Sequence, residues 1–329
     1  MVRGSGMKYK EDIKVNCIPG DLGGCGYYRV IYPAQMLFNH YKVTISPPAT
    51  FNYYEQDYIY TQRICYSDTF KALLRMKDKG VKFIIDYDDC IWKEVPSYNR
   101  CNVHWKDNYN GMKEYLAILA DKVTCTNEFI KESLTEFIEP DKIVIIPNAL
   151  DYNRWRFDYY EPNNKLNFLY AGSDTHWNVN DTGDFHKGLI NYLKDKEINI
   201  MGTNPTFLTV NSNTPWVDIN SYPIIFASRA LQNRFVLAPL QDNYFNKCKS
   251  DLKYLECCAV GRVALVSTFP DSPYNLSHPL QRIPNNCSES TIKDIVKNAI
   301  KHYDEIIKYQ YGIINNRWLK KDLYEPLFN

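Results

Sequence analysis

The chain has 329 residues and a formal net charge of +1, long for one hydrophobic core and comfortable for two. This balance excludes a general electrostatic attraction to nucleic acid or to an anionic membrane, so any such contact has to be a local patch. Ten cysteines without a CxxC pair exclude a zinc knuckle, and the adjacent Cys257 and Cys258 suit neither a zinc site nor an ordinary disulfide.

No apolar run approaches the ~18 residues of a membrane span and no signal peptide opens the chain. The expectation is a reduced, soluble, cytoplasmic protein without membrane insertion. Residues 1–6, MVRGSG, read as an expression remnant before a natural start at Met7. IKVNCIP (13–19) is a predicted strand that enters the turn GDLGGCG (20–26), and YYRVIYPAQMLFNHY (27–41) follows as a helix. FKALLRMKDKG (70–80) is a helix with a glycine stop and leads into the strand VKFIIDYDD (81–89). Residues 112–127 give a helix and then a strand, 129–138 another helix, and KIVIIPNALD (142–151) a strand that leaves into a loop. Such a βα series implies a mainly parallel sheet covered on both faces.

A polar break at 152–165 interrupts the pattern. The series restarts with LNFLYAG (166–172) and continues through INIMG (198–202), RFVLAPL (234–240) and RVALVS (262–267). The fold class is therefore α/β, with two Rossmann-like domains facing a cleft. The expected boundaries are 7–151 for the first domain, 152–165 for the linker, 166–305 for the second domain, and 306–329 for a helix that crosses back to the first.

Gly23, Gly24 and Gly26 lie between a strand and a helix, where backbone N–H groups can meet an anion. The spacing is not GxGxxG, and a tight βα turn accounts for the glycines equally well. DYDDC (86–90) ends a strand with Asp86, Asp88 and Asp89. These are either the ligand set of a metal-dependent sugar transferase or turn-forming aspartates, and Asp88 is kept as a catalytic candidate. In AGSDTHWNVNDTGDFHKG (171–188), His176 and Lys187 follow the strand that opens the second domain, with Gly172 and Ser173 at its carboxyl end. Open sheets bind their ligands there, which makes His176 a second catalytic candidate. Asp181 and Asp184 read as loop-forming.

FNKCKSDLKYLECCAVGRVALVS (245–267) crowds charge at the front of a short helix. Ser250 is its predicted N-cap and Gly261 its stop. Lys249, Lys253 and Glu256 share one face, and Leu252, Leu255 and Ala259 share the adjacent one. The charged face is either solvated, with Lys253 and Glu256 as an i,i+3 pair of ~0.2–0.5 kcal/mol, or a phosphate site. In the second case Ser250, Asp251 and Leu252 open the helix toward the anion, a lysine faces it, and Glu256 accepts from ribose hydroxyls.

IIPNALD, FLYAGSDTH and APLQDNYFNKCKSDLKYLECCAVGRVALVS, with GGCGYYRVIYPAQ and IIDYDDCIW nearer the front, resemble GT-B glycosyltransferases of the retaining family-4 type. In look they are nearest to the glycosyltransferases of bacteriophages and large viruses. The resemblance implies transfer of a hexose or pentose from a nucleotide-sugar donor to an acceptor hydroxyl, with retention, without a cofactor and without a required divalent metal. Of the two glutamates that the family carries eight residues apart, the second matches Glu256 and the first falls on Cys248. Lys249 is implied as the cation on the diphosphate, with Lys187 behind it. Gly23 and Gly24 are implied to face donor phosphates or acceptor, with Tyr28 and Arg29 on the acceptor side. The implied acceptor is a hydroxymethylated pyrimidine in phage DNA, held by a basic patch that includes Arg29, Arg63 or Arg100, or else a viral or host-surface glycan; the implied location is the host cytoplasm. A metal-dependent transferase built on Asp86, Asp88 and Asp89, and a nucleotide- or sugar-binding protein without turnover, are the alternatives.

Overall fold

The computed structural model describes residues 12–48, 50, 55–63, 67–157, 161 and 165–328. The remnant at 1–6 and, within the predicted linker, residues 158–160 and 162–164 lie outside the described residues. The chain packs as two compact units, one of residues 1–89, 107–147 and 319–329, the other of 90–106 and 148–318. Residues 90–106, expected in the first domain, thus pack with the second.

The first unit is built on a parallel sheet of β1 (Lys14–Ile18), β2 (Lys42–Ile45), β3 (Tyr58–Gln62), β4 (Lys82–Tyr87), β5 (Ala120–Cys125) and β6 (Ile143–Ile145), in the order β2-β1-β3-β4-β5-β6. Its central strands β3 and β4 are buried almost throughout, polar Thr61, Gln62 and Asp86 included, as in a parallel sheet covered on both faces. Strands β2 and β3 were not among the predicted elements. β2 is a four-residue edge strand with alternating exposure, and β3 is a tyrosine-rich run that lacks the aliphatic signature of its neighbours. The helix after β1 runs over residues 24–37 and contains a π-helical turn at Tyr27–Ile31.

The second unit holds β7 (Asn167–Gly172), β8 (Glu197–Gly202), β9 (Ser212–Thr214), β10 (Phe235–Ala238), β11 (Val263–Thr268) and β12 (Arg282–Pro284). Their order is β12-β11-β10-β7-β8-β9, again with every neighbouring pair parallel. The order reverses between β7 and β10, which opens a crevice at the carboxyl ends of these two strands. Phe168, Tyr170, Phe235, Leu237, Val263 and Leu265 form the buried centre of this unit.

The predicted C-terminal helix is corrected in two respects. It divides at His302 into helices Glu289–Lys301 and Tyr303–Asn315, and Ile306 and Ile307 pack into the core of the second unit. What joins the first unit is the short tail after it, two 3₁₀ turns at Lys321–Leu323 and Glu325–Phe328, which place Tyr324, Leu327 and Phe328 among Val15, Tyr41 and Tyr60. The helix stops at an Asn315–Asn316 pair, a residue type that competes with helical backbone bonding. Among the described residues no helix is long and apolar enough to cross a membrane.

Candidate functional site

The crevice at the end of β7 is shaped by two glycines. A side chain at Gly172 would place its Cβ 2.2 Å from the Tyr170 hydroxyl, so the strand can end there only without one. Beyond it, Ser173 Oγ and Thr175 Oγ1 share a hydrogen bond of 2.7 Å and start a tight loop. Gly183 has φ +56°, and a Cβ on it would lie 2.1 Å from the His176 carbonyl oxygen. This lets the loop fold back, so that the Asp184 N–H donates to the His176 carbonyl at 2.9 Å.

The fold-back sets His176 against Asp184, with Nδ1 2.7 Å from Oδ2. Asp184 is 1% exposed. Its Oδ1 accepts from Tyr98 Oη at 2.7 Å, from Asn246 Nδ2 at 2.7 Å and from the Gln241 N–H at 3.0 Å. Four donors, the His176 ring among them, surround this buried carboxylate, and the tautomer with the proton on Nδ1 is the one that donates to Oδ2. Asp184, read from the sequence as loop-forming, is therefore the centre of the network.

The helix predicted to carry the anion site spans Leu252–Ala259. Its N-cap residue is Asp251 and not Ser250, and no side chain caps it. Asp251 instead receives two hydrogen bonds from Arg317, at 2.7 and 2.9 Å, and Ser250 Oγ accepts from Asn148 Nδ2 at 2.8 Å. Two lysines flank this end. Lys253 Nζ donates to the carbonyl of Ala171 and lies 5.8 Å from the Tyr170 ring centre. Lys249 Nζ lies 4.5 Å from the ring centre of Phe245.

Burial pushes the His176 pKa down; the hydrogen bond and charge of Asp184 oppose this, and the charges of Lys253 and Lys249 add to it. Lys253 is likewise held below the usual lysine range by burial, against the pull of Glu256. These shifts tie His176, Lys249, Lys253, Asp184 and Glu256 into one electrostatic cluster at the end of β7. Glu256 is 4% exposed and accepts from Tyr222 Oη at 3.1 Å, which overturns the reading of a solvated i,i+3 pair. Leu255 and Ala259 are buried as expected, while Leu252 is half-buried. Lys187 sits exposed at the start of helix Lys187–Leu193. Cys248 is fully buried, so no side chain reaches out from the position of the first family glutamate.

In the first unit the candidates are largely committed to one another. Asp21 Oδ1 accepts from the N–H groups of Gly23 and Gly26 at 2.8 and 3.3 Å, so these two donors of the glycine turn serve an aspartate. A Cβ on Gly26 would lie 2.0 Å from the Asp21 carbonyl oxygen, which explains the glycine by close approach alone. Gly24 opens the following helix, and a Cβ there would make only ordinary contact with Tyr28. Asp21 Oδ2 also accepts from Arg63 at 2.7 Å, and Arg63 Nε lies 3.2 Å from Asp88 Oδ1, which accepts from Gln62 Nε2 at 3.0 Å.

Arg29 and Tyr28, expected on the acceptor side, are buried. Arg29 is 1% exposed and donates to Asp86 and to the carbonyl of Ile146, with Thr124 Oγ1 as a further donor to Asp86. The Tyr28 ring packs edge-on against Tyr32. The basic patch expected from Arg29, Arg63 and Arg100 is corrected accordingly. Arg29 is core, Arg63 is neutralised by Asp21 and Asp88, and Arg100 belongs to the other unit, where it pairs with Asp174 at 3.1 Å. Asp86 and Asp88 thus answer different cations, and among the described residues no cluster of three or more His, Cys, Asp or Glu side chains is arranged to hold a metal ion.

Comparison with solved structures adds the architecture. A glycosyltransferase from Rickettsia africae matches with a TM-score of 0.61 at 14% identity, over 97% of both chains. The Anabaena protein HepE, solved with UDP-glucose, matches with a TM-score of 0.62 at 11% identity, over 96% of this chain and 99% of the other. Sucrose-phosphate synthase from Thermosynechococcus elongatus matches at 0.60 and 12% identity, over 97% and 95%. The fold is that of the GT-B glycosyltransferases. No protein-family profile matches the chain, and no curated protein does. In the GT-B frame the crevice described above lies in the C-terminal Rossmann-like unit.

Proposed function

We propose that the protein is a glycosyltransferase that takes its sugar from a nucleoside diphosphate sugar held by the second unit. One observation carries this reading: Lys249, Lys253 and His176 converge at the uncapped start of helix Leu252–Ala259, at the carboxyl end of β7, with Glu256 one turn further on. A helix N-terminus and two ammonium groups suit a diphosphate in its bound state and more so as it departs, when its charge grows. Glu256, which accepts from Tyr222, is assigned the ribose hydroxyls on its match to the second family glutamate. UDP is the first nucleotide to try, since the Anabaena neighbour binds UDP-glucose.

Retention of configuration follows from the resemblance to the family-4 type. So does independence from a metal, which is further supported by the engagement of Asp86 with Arg29 and of Asp88 with Arg63 and Gln62. The acceptor is a hydroxyl. A hydroxymethylated pyrimidine in DNA stays the first candidate by resemblance, with a glycan as the second, and the arginines assigned to a DNA patch lend the first no support. A nucleotide-binding protein without turnover is the competing reading, favoured by the buried Cys248 where the family has a glutamate.

The test is calorimetric titration with UDP, GDP and dTDP, followed by incubation of the matching labelled sugar nucleotide with modified DNA and with glycans. Binding with hydrolysis or transfer supports the enzyme. Binding without any turnover supports the competing reading, and absence of binding by every nucleotide overturns both.

A further inference from the structure

His176 is more elaborately held than a side chain that only fills space. Its Nδ1 is fixed on Asp184 at 2.7 Å, and Asp184 is in turn fixed from three other directions, one of them Tyr98 in the segment 90–106. The other ring nitrogen, Nε2, has no protein partner among the described residues, and the side chain keeps 13% of its surface exposed. The charged groups acting on the ring include Asp184 from its own loop, Lys249 from the loop before helix Leu252–Ala259 and Lys253 from the first turn of that helix. Asp174, two residues before His176, is already neutralised by Arg100.

We propose that the His176–Asp184 pair is a proton-coupled anion clamp: when a diphosphate settles on Lys249 and Lys253, His176 takes up one proton at Nε2 and becomes a third donor to the anion. This rests on the donor-site reading above and goes beyond it by coupling that site to pH. The proton comes from the buffer, the Nε2–H bond is the one bond formed, and the Nδ1 contact with Asp184 Oδ2 is kept.

The physical argument is one of competing charges. Without ligand, burial and the two ammonium groups keep the ring neutral despite Asp184. A diphosphate brings at least two negative charges to those ammonium groups, which reverses the sign of the field at the ring. Proton uptake on binding then follows by linkage, and affinity rises as pH falls through the window between the free and the bound pKa, by up to about tenfold per pH unit. Above the bound pKa the ring stays neutral in both states, and the pH dependence that it contributes ends.

The experiment is calorimetric titration of the full chain with UDP at about pH 7, in buffers of different ionisation enthalpy. This counts protons taken up per UDP bound. The terminal phosphate of UDP titrates near pH ~6 itself, so the quantity read is the difference between wild type and His176→Gln. Wild type is expected to take up several tenths of a proton more, and UDP affinity is expected to depend less on pH in the variant. Equal uptake by two proteins that both bind UDP overturns the clamp and leaves the donor site standing. If His176→Gln does not fold, the imidazole resonances of wild-type His176 give the same answer: its pKa rises when UDP is added, and an unmoved pKa with UDP bound overturns the proposal. A wild-type protein that binds neither UDP nor inorganic pyrophosphate overturns the donor site, and the clamp falls with it.

Discussion

Arg317 grips Asp251 with two hydrogen bonds of 2.7 and 2.9 Å and, with the same guanidinium, donates twice to the carbonyl of Asn148. Asp251 is the residue that would otherwise cap helix Leu252–Ala259, so this contact leaves the helix without a side-chain cap. Burial pushes the Asp251 carboxyl up while the charge and hydrogen bonds of Arg317 oppose it. Arg317→Ala strands a mostly buried carboxylate and a carbonyl, and a loss on the order of 2–3 kcal/mol in urea unfolding is expected. Arg317→Lys restores only part of this, because an ammonium cannot reproduce the two-pronged contact. A loss under about 0.5 kcal/mol for Arg317→Ala would show that the contact is incidental.

Arg29 and Asp86 make the second structural prediction. Their side chains are 1% and 0% exposed, so Arg29→Met leaves a carboxylate in the core with only Thr124 to donate to it. Breaking a buried pair from one side costs about 3–5 kcal/mol. Removing both charges, in Arg29→Met with Asp86→Leu, is expected to recover much of that loss. If Arg29 instead served an acceptor, its replacement would leave the unfolding midpoint alone and raise the acceptor KM.

Lys253 gives a prediction with a pH signature. Its charge is disfavoured by burial, so the folded pKa lies below the unfolded one. The fold is therefore less stable below the folded pKa than above it, and Lys253→Met should not lower the melting temperature. It should weaken UDP binding about tenfold or more, as expected for a lost charge-assisted contact of ~1.5–3 kcal/mol. In wild type, UDP affinity should also fall on the alkaline side as pH rises through the lowered lysine pKa, and Lys253→Met should remove that fall. An alkaline limb that persists in the variant assigns the titration to another group.

Much of this arrangement was legible in the sequence, and the parts that were not share a physical cause. The βα alternation was readable because parallel strands buried on both faces carry short apolar runs, such as FII in KFIIDY or VALV in VALVST. β9, with the sequence SNT, and β12, with RIP, are short edge strands and carry no such signal. Helical periodicity grouped Lys249, Lys253 and Glu256 on one face, but the helix begins only at Leu252. Lys249 therefore lies in the loop before it, and only Lys253 and Glu256 are on the helix. The role of Asp184 was not legible, because it depends on Tyr98, which lies 86 residues away in the chain. The cap failed for a related reason: Ser250 and Asp251 are equally good capping residues locally, but Asn148 and Arg317 are distant partners that engage them instead.

Independence from metal is testable directly. Asp86 is committed to Arg29 and Asp88 to Gln62 and Arg63, and a divalent ion would have to displace these contacts to be bound by both. Transfer or donor hydrolysis is expected to proceed at an unchanged rate in EDTA and to gain nothing from manganese. Activity abolished by EDTA and restored by manganese would move the diphosphate site to the end of β4 and displace Lys249 and Lys253 from their assigned role.

Glu256 separates the ribose contact from the diphosphate contact. The carboxylate is buried and already accepts from Tyr222 at 3.1 Å, so truncation to alanine leaves a buried hydroxyl unpaired and should cost about 1–3 kcal/mol of stability. Glutamine is the cleaner probe, because it keeps the volume and an acceptor for Tyr222 while it gives up the charge and one acceptor oxygen. Glu256→Gln should therefore melt close to wild type, yet bind UDP more weakly by ~1–2 kcal/mol, the scale of a hydrogen bond to a charged group. Inorganic pyrophosphate has no ribose, so its affinity should be the same in both proteins. The two titrations together isolate the sugar contact: parallel losses for UDP and pyrophosphate place Glu256 in the anion site, and no loss for either returns it to a purely structural role in the core.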